Sequence, residues 1–184
     1  MTQRKAFLTK EQSLMLRGIA IFLVLISHYA VWIGEIFHSD LLEYGLGRFG
    51  VYGVDLFFAV SGYGLVKSVG KKRINGTFLW KRFKTVYLPY LLIVGLIAVY
   101  DGGISGMTGW VSFLTGAEYW YIRNILIFYL AFYVVYRLSD RSWVRMLLMA
   151  LCLTAYSGLL IWQGRALFWY ISNVTFLFGM LLAQ

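Results

Sequence analysis

The sequence predicts an all-α, polytopic membrane protein of about six transmembrane helices with a cytoplasmic N-terminus. Three observations carry this. The 184 residues are 60% hydrophobic and 14% charged, whereas a soluble domain is roughly 45–50% apolar and about 25% charged. Apolar residues gather into stretches close to the ~20 residues that cross a bilayer. The charges between those stretches alternate in sign along the chain. With 14 Tyr, 14 Phe and 7 Trp, disorder is excluded as well.

Residues 1–13 read as a cytoplasmic tail carrying Arg4, Lys5 and Lys10, and residues 14–184 as one membrane domain. The tail is no cleavable leader, because no small-residue cleavage site follows the first apolar run. The predicted spans are Leu14 to Gly34, Phe49 to Val69, Val86 to Tyr100, Tyr119 to Leu138, Val144 to Trp162 and Ala166 to Ala183. The third has the shortest clean core, so a five-span arrangement with that segment re-entrant stands beside the six-span one. The first loop is acidic (Glu35, Asp40, Glu43), and the second is basic from Lys67 through Lys84. The third is nearly uncharged, and the fourth carries Arg137, Arg141 and Arg145. Basic residues concentrate on the cytoplasmic side of spans. That places 13 inside and three outside (Arg48, Arg123, Arg165), with Arg17 inside the first span. The Gly-rich stretch Asp101 to Gly109 reads as an external loop, followed by an interfacial segment bearing Trp110 and Phe113.

A net charge of +9 is a topology signal here, and no nucleic-acid partner is expected. The single cysteine, Cys152, rules out an intrachain disulfide and a cysteine metal cluster. Two histidines without neighbouring cysteines make no metal site, and no glycine pattern matches a phosphate-cradling loop.

Chemistry is sought where ionisable groups sit inside apolar helices, because such placements are costly and usually face a cavity or partner. Arg17 and His28 are eleven residues apart, three turns plus about 20°, so they share one face and stand about 16 Å apart along the axis. Each alone is as readily an interfacial anchor. Aligned, they put a guanidinium suited to phosphate near the cytoplasmic end and an imidazole able to take a hydroxyl proton deeper in. Asp55 in the second span is either an interfacial acid or a partner for His28, Arg48 or Arg123. Gly62 and Gly64 read as sites of close helix contact. Lys81-Arg-Phe-Lys-Thr-Val-Tyr-Leu-Pro-Tyr90 reads as the basic flank of a span or as a phosphate patch. Glu118-Tyr-Trp-Tyr-Ile-Arg-Asn124 is an aromatic belt on the outer side whose Glu118 and Arg123 are candidates for an acceptor site.

These residues resemble the N-terminal part of the acyltransferase 3 family, membrane enzymes that acylate cell-surface glycans and related acceptors. Leu16-Arg17-Gly-Ile-Ala20 through Ser27-His28 resembles its Arg, ten residues, His motif. Gly53-Val-Asp55-Leu-Phe-Phe-Ala-Val-Ser61-Gly62-Tyr63 resembles its second-span signature. Lys81-Arg82-Phe83 through Tyr87-Leu-Pro-Tyr90 resembles its basic, then aromatic-proline, motif. Tyr119-Trp-Tyr-Ile122 and Phe176 to Met180 are weaker echoes. Where members commonly carry a second arginine three residues after the one matching Arg82, this chain has Thr85. The family's membrane domain usually has several more spans, so the chain resembles the first part of such a domain.

The resemblance implies transfer of an acetyl or other short acyl group from acyl-CoA, as donor substrate, to a hydroxyl of a surface glycan or lipid-linked sugar. His28 and Arg17 would be catalytic, Arg17, Lys81 and Arg82 donor-binding, and Asp55, Ser61, Glu118 and Arg123 supporting or acceptor residues. No bound cofactor is implied. A multi-pass bacterial inner-membrane location, among membrane lipid, follows from the same resemblance. An inactive fragment and a small polytopic transporter or scaffold are the competing readings.

Overall fold

The computed structural model describes residues 7–70, 74–100, 102–117 and 119–184. Its described residues are mostly helical, joined by short turns, with no strand among them. They divide into two compact units, Met1–Gly70 with Ser157–Gln184, and Lys71–Tyr156. Among the described residues, five helices are long and apolar enough to cross a membrane.

In the first unit, α1 (Lys10–Phe37) starts at a capping box. Thr9 accepts from the Gln12 backbone N–H, and the Gln12 side chain accepts from the Thr9 N–H, so two otherwise unpaired helix donors are satisfied together. His38 ends the helix in the left-handed conformation (φ 52°) and donates its N–H to Gly34. A π-helical turn (Leu41–Gly45) and a 3₁₀ turn (Leu46–Arg48) lead into α2 (Phe49–Val69). α1 and α2 form a close antiparallel hairpin. A Cβ on Gly53 would lie 2.8 Å from the Ala20 carbonyl oxygen, and Ser27 Oγ donates to the Gly47 carbonyl. Small residues permit such approach where no hydrophobic effect drives helices together in lipid.

The opposite face of α2 packs on α8 (Asn173–Leu182) more tightly still. A Cβ on Gly179 would lie 1.9 Å from the Ala59 carbonyl oxygen, and one on Gly62 would lie 2.2 Å from that of Phe176. Phe58, Phe176 and Met180 are fully buried there.

The sixth predicted span is corrected by this geometry. Residues 166–183 do not make one spanning helix. They break into a 3₁₀ turn at Leu167–Trp169 and the ten-residue α8, about 15 Å of helix against a hydrocarbon core of about 30 Å. The interruption falls at the buried pair Ser172 and Asn173, where the Asn173 amide donates to Ser157 Oγ. Asn173 thus finds a partner in protein, which is what allows a helix to break at such a place, while the Ser172 hydroxyl is buried without one.

The second unit begins with α3 (Thr77–Arg82), which passes through a π-helical turn (Phe83–Tyr87) into α4 (Leu88–Tyr100). Together they make one 24-residue candidate span. It starts nine residues earlier than Val86, because the basic stretch is helical and not a loop. Two of its cations lie over rings, Arg82 over Phe78 and Lys84 with its Nζ 4.9 Å from the Trp80 ring centre. The segment expected along the interface is α5 (Gly106–Thr115). It folds back beside α4, and Tyr87 and Tyr90 hydroxyls donate to the Leu114 and Phe113 carbonyls at 2.5 and 2.6 Å. Those carbonyls belong to the last turn of α5, where intrahelical donors run out; that of Phe113 also accepts the Gly116 N–H at 3.4 Å.

A turn through Gly116 (φ 64°) then starts α6 (Trp120–Leu138). Phe78 stacks on Phe132 at 5.6 Å, and Tyr90 meets Tyr119 edge-on at 5.7 Å. α6 therefore runs antiparallel to the stretch from α3 into the first turn of α4. α7 (Ser142–Trp162) follows. Its buried Arg145 closes the α6–α7 turn, donating to the Ser139 carbonyl at 2.6 Å and pairing with Asp140 at 3.3 Å.

Candidate functional site

In the first unit the site is the flank of α1. Ala20, Ser27, Ala30 and Gly34 are its buried positions, and Arg17 and His28 occupy the neighbouring stripe, both exposed. His28 Nδ1 lies 2.8 Å from the Val24 carbonyl oxygen. A carbonyl only accepts, so Nδ1 carries a proton, and in the neutral ring it is Nε2 that keeps the lone pair. The helix thus fixes both the ring's orientation and its tautomer. Arg17 reaches across to α2, its Nη2 3.6 Å from where a Cβ on Gly64 would stand. Of the two glycines expected at helix contacts, Gly62 meets α8 while Gly64 makes room for Arg17.

Asp55 takes neither of the roles open to it near α1. Gly53 and Gly64 mark the α2 face toward α1, and at 100° per residue Asp55 lies nearly opposite both. It shares the face of Ala59 and Gly62 turned to α8, so it does not orient His28. Its Oδ1 is buried without a hydrogen bond. Ser61 is half-buried on α2, one turn from Gly64 and so a neighbour of the position beneath Arg17.

The second unit separates what the sequence joins. Lys81 is exposed, while Arg82 is half-buried. The Arg82 guanidinium lies over two rings, Phe78 at 5.4 Å and Tyr129 at 5.6 Å, and its Nε is buried without a hydrogen-bond partner. It lines a cavity of about 670 Å³ together with Arg123. Tyr87 of the π-helical turn and Leu114 of α5 complete one side, with Leu126 and Ile127 of α6 on the other.

The ring contacts set the level of Arg123. With Arg82 beside Tyr129 and Tyr90 beside Tyr119, Arg123 stands beside Tyr87, near the middle of the Thr77–Tyr100 helix. It belongs to the cavity and not to an outer belt at the end of that span. Glu118 lies outside the described residues. Tyr87 belongs to the aromatic-proline motif, whereas Tyr129 carries no motif of its own. The signal that could have found Tyr129 is the density of rings around a basic pair. Among the described residues, no three His, Cys, Asp or Glu side chains gather as metal ligands would.

The fold defines a multi-pass helical membrane protein with basic and imidazole groups placed on its apolar helices. Residues 15–184 match the family described as the acyltransferase domain, acyltransferase 3. The chain belongs to that family. It is also similar to "Protein 2 in picA locus" of Rhizobium radiobacter, 34% identical over 90 residues, which covers 46% of this chain and 42% of the relative. The match therefore spans less than half of that relative's length. No solved structure matches.

Proposed function

We propose that this protein is a membrane O-acyltransferase that moves an acetyl or short acyl group from acyl-CoA to a hydroxyl of a cell-surface glycan or lipid-linked sugar. Its place is the bacterial inner membrane, with the N-terminus in the cytoplasm. The observation that carries the reading is the His28 ring, whose Nδ1–H is committed to Val24 while Nε2 stays open on the stripe it shares with Arg17. Membership of the acyltransferase family supports it.

Nε2 takes the proton of the acceptor hydroxyl as its oxygen attacks the thioester carbonyl. The tetrahedral adduct collapses with cleavage of the C–S bond, and the departing thiolate receives the proton from the imidazolium. General-base assistance of this kind contributes about 10²–10⁴-fold. Arg17 holds donor phosphate near the cytoplasmic end, as a guanidinium suits. The two groups stand about 16 Å apart along α1, which suits a donor with a charged head and a long arm.

The test is release of free coenzyme A and acylated sugar by the purified protein given acetyl-CoA and a glycan acceptor. His28→Ala should abolish both while preserving the elution profile and helical content. Turnover at the unmutated rate in that variant would remove His28 as the base.

A further inference from the structure

We propose that the last turns of α1, beyond His28, form a glycan subsite. Trp32 is the platform for a sugar ring, and the Glu35 carboxylate accepts hydrogen bonds from its hydroxyls. The ligand is a neutral glycan segment. The subsite rests on the acyl-transfer reading and adds to it two binding residues and a charge preference.

Three features point there. Trp32 and Glu35 follow His28 by four and seven residues, which places them within about 40° of its direction and about 6 and 10.5 Å further along the axis. Cα–Cβ bonds tilt toward a helix N-terminus, which inclines the Trp32 indole toward the turn that carries His28. The His28 ring is already held through Nδ1 by the Val24 carbonyl, so Nε2 stays free for a hydroxyl brought along this stripe. Both new side chains are open. Trp32 is 59% exposed, and Glu35 is exposed and, among the described residues, in no ion pair. Glu35 also stands in the last turn of α1, where no basic residue accompanies it. A carboxylate there opposes the helix dipole, and departures from such local rules belong to functional sites.

The ligand class follows from these groups and their surroundings. α1 has 28 residues, about 42 Å of helix against a hydrocarbon core of about 30 Å. Its charged ends therefore stand beyond the core, where a water-soluble glycan reaches Glu35. An indole offers an apolar face to the C–H face of a sugar and keeps a polar edge in water. An ionised carboxylate only accepts hydrogen bonds, through two oxygens, which suits neighbouring sugar hydroxyls. Charge at this end of the hairpin disfavours an anionic ligand. Residues 35–48 hold Glu35, Asp40 and Glu43 against Arg48 as their one Lys or Arg, and like charges repel. A lipid phosphate meets the same repulsion. Anchoring at a membrane interface would account for Trp32 alone, but not for a carboxylate one turn beyond it on the stripe of His28.

The experiment measures binding of maltopentaose, a neutral glycan, to the whole protein in nanodiscs without acetyl-CoA. Pentagalacturonate, of equal length, is the acidic arm. Maltopentaose should bind at least about tenfold more tightly than pentagalacturonate, a difference of about 1.4 kcal/mol. Trp32→Ala should weaken maltopentaose by about tenfold, and Trp32→Phe, which keeps a ring, should restore most of the loss. Glu35→Gln should weaken it by about fivefold while raising the thermal midpoint. Those opposite signs would not come from a merely structural role. Binding is read without turnover, so sugar binding with no acyl transfer would remove the transfer reading and leave the subsite standing. Acyl transfer with an unchanged glycan KM in Trp32→Ala and Glu35→Gln would remove the subsite alone. Absence of maltopentaose binding, pentagalacturonate bound as tightly or an unchanged Trp32→Ala variant would each overturn it. The comparison of the two glycans needs only the unmutated protein, so it stands even if a variant does not fold.

Discussion

The two units handle an arginine in an apolar setting in opposite ways. Arg17 lies on an exposed flank of α1 and crosses a glycine of α2, so its charge is available wherever the helix surface is wet. Arg82 is folded between Phe78 and Tyr129, where its charge is held by ring faces and its Nε–H faces protein. The first arrangement suits a ligand that arrives along a helix; the second suits one that enters a pocket. A guanidinium is thus not one kind of site, and the helix neighbours decide which kind it becomes.

Loss of the His28 imidazole should separate the units most sharply. His28→Ala is expected to lower acyl transfer by about 10²-fold or more, measured as coenzyme A release. Arg82→Gln, which removes a guanidinium from the Phe78 and Tyr129 rings, should lower the thermal midpoint and change acetyl-CoA affinity less than Arg17→Gln does. Equal losses of acetyl-CoA affinity in Arg17→Gln and Arg82→Gln would erase the distinction between the two arginines.

The next largest effect concerns packing. Gly179→Val places carbon where the Ala59 carbonyl already stands, and overpacking of this kind costs about 1–3 kcal/mol or more. The thermal midpoint should fall by several degrees, with Gly62→Val behaving alike. Gly64→Val should not lower it comparably, because the nearest neighbour there is the far end of Arg17. Its expected effect is on function: Gly64→Leu crowds the guanidinium and should raise the acetyl-CoA KM about tenfold, roughly one charge-assisted hydrogen bond, with kcat little changed. The smallest expected effect is that of Tyr90→Phe, which removes one hydroxyl from an α5 carbonyl and should cost about 1 kcal/mol. Faster amide exchange confined to α5 would report it.

The first unit was largely legible in the sequence and the second was not. Arg17 and His28 are eleven residues apart on one helix, and helical periodicity alone aligns them. The tight α1–α2 and α2–α8 contacts were signalled by glycines within apolar runs. The cavity of the second unit depends on how α6 slides along α3 and α4, and that register is set by Phe78 on Phe132 and Tyr90 on Tyr119. No periodicity encodes it, so Arg123 read as an outer belt residue. The break at Ser172 and Asn173 was hidden for a related reason. Hydropathy counts the apolar residues on both sides of a polar pair but does not reveal that Asn173 has a partner in Ser157.

The hydroxyls of Tyr87 and Tyr90 that receive α5 also bear on biosynthesis. A ten-residue helix is too short to hold itself across a bilayer, and its terminal carbonyls would meet lipid unpaired. Translation runs from the N-terminus, so both donors, Tyr87 on the π-helical turn and Tyr90 on α4, are made before Phe113 and Leu114 emerge. The order of synthesis supplies the donors before the acceptors, and α5 docks on a prepared surface.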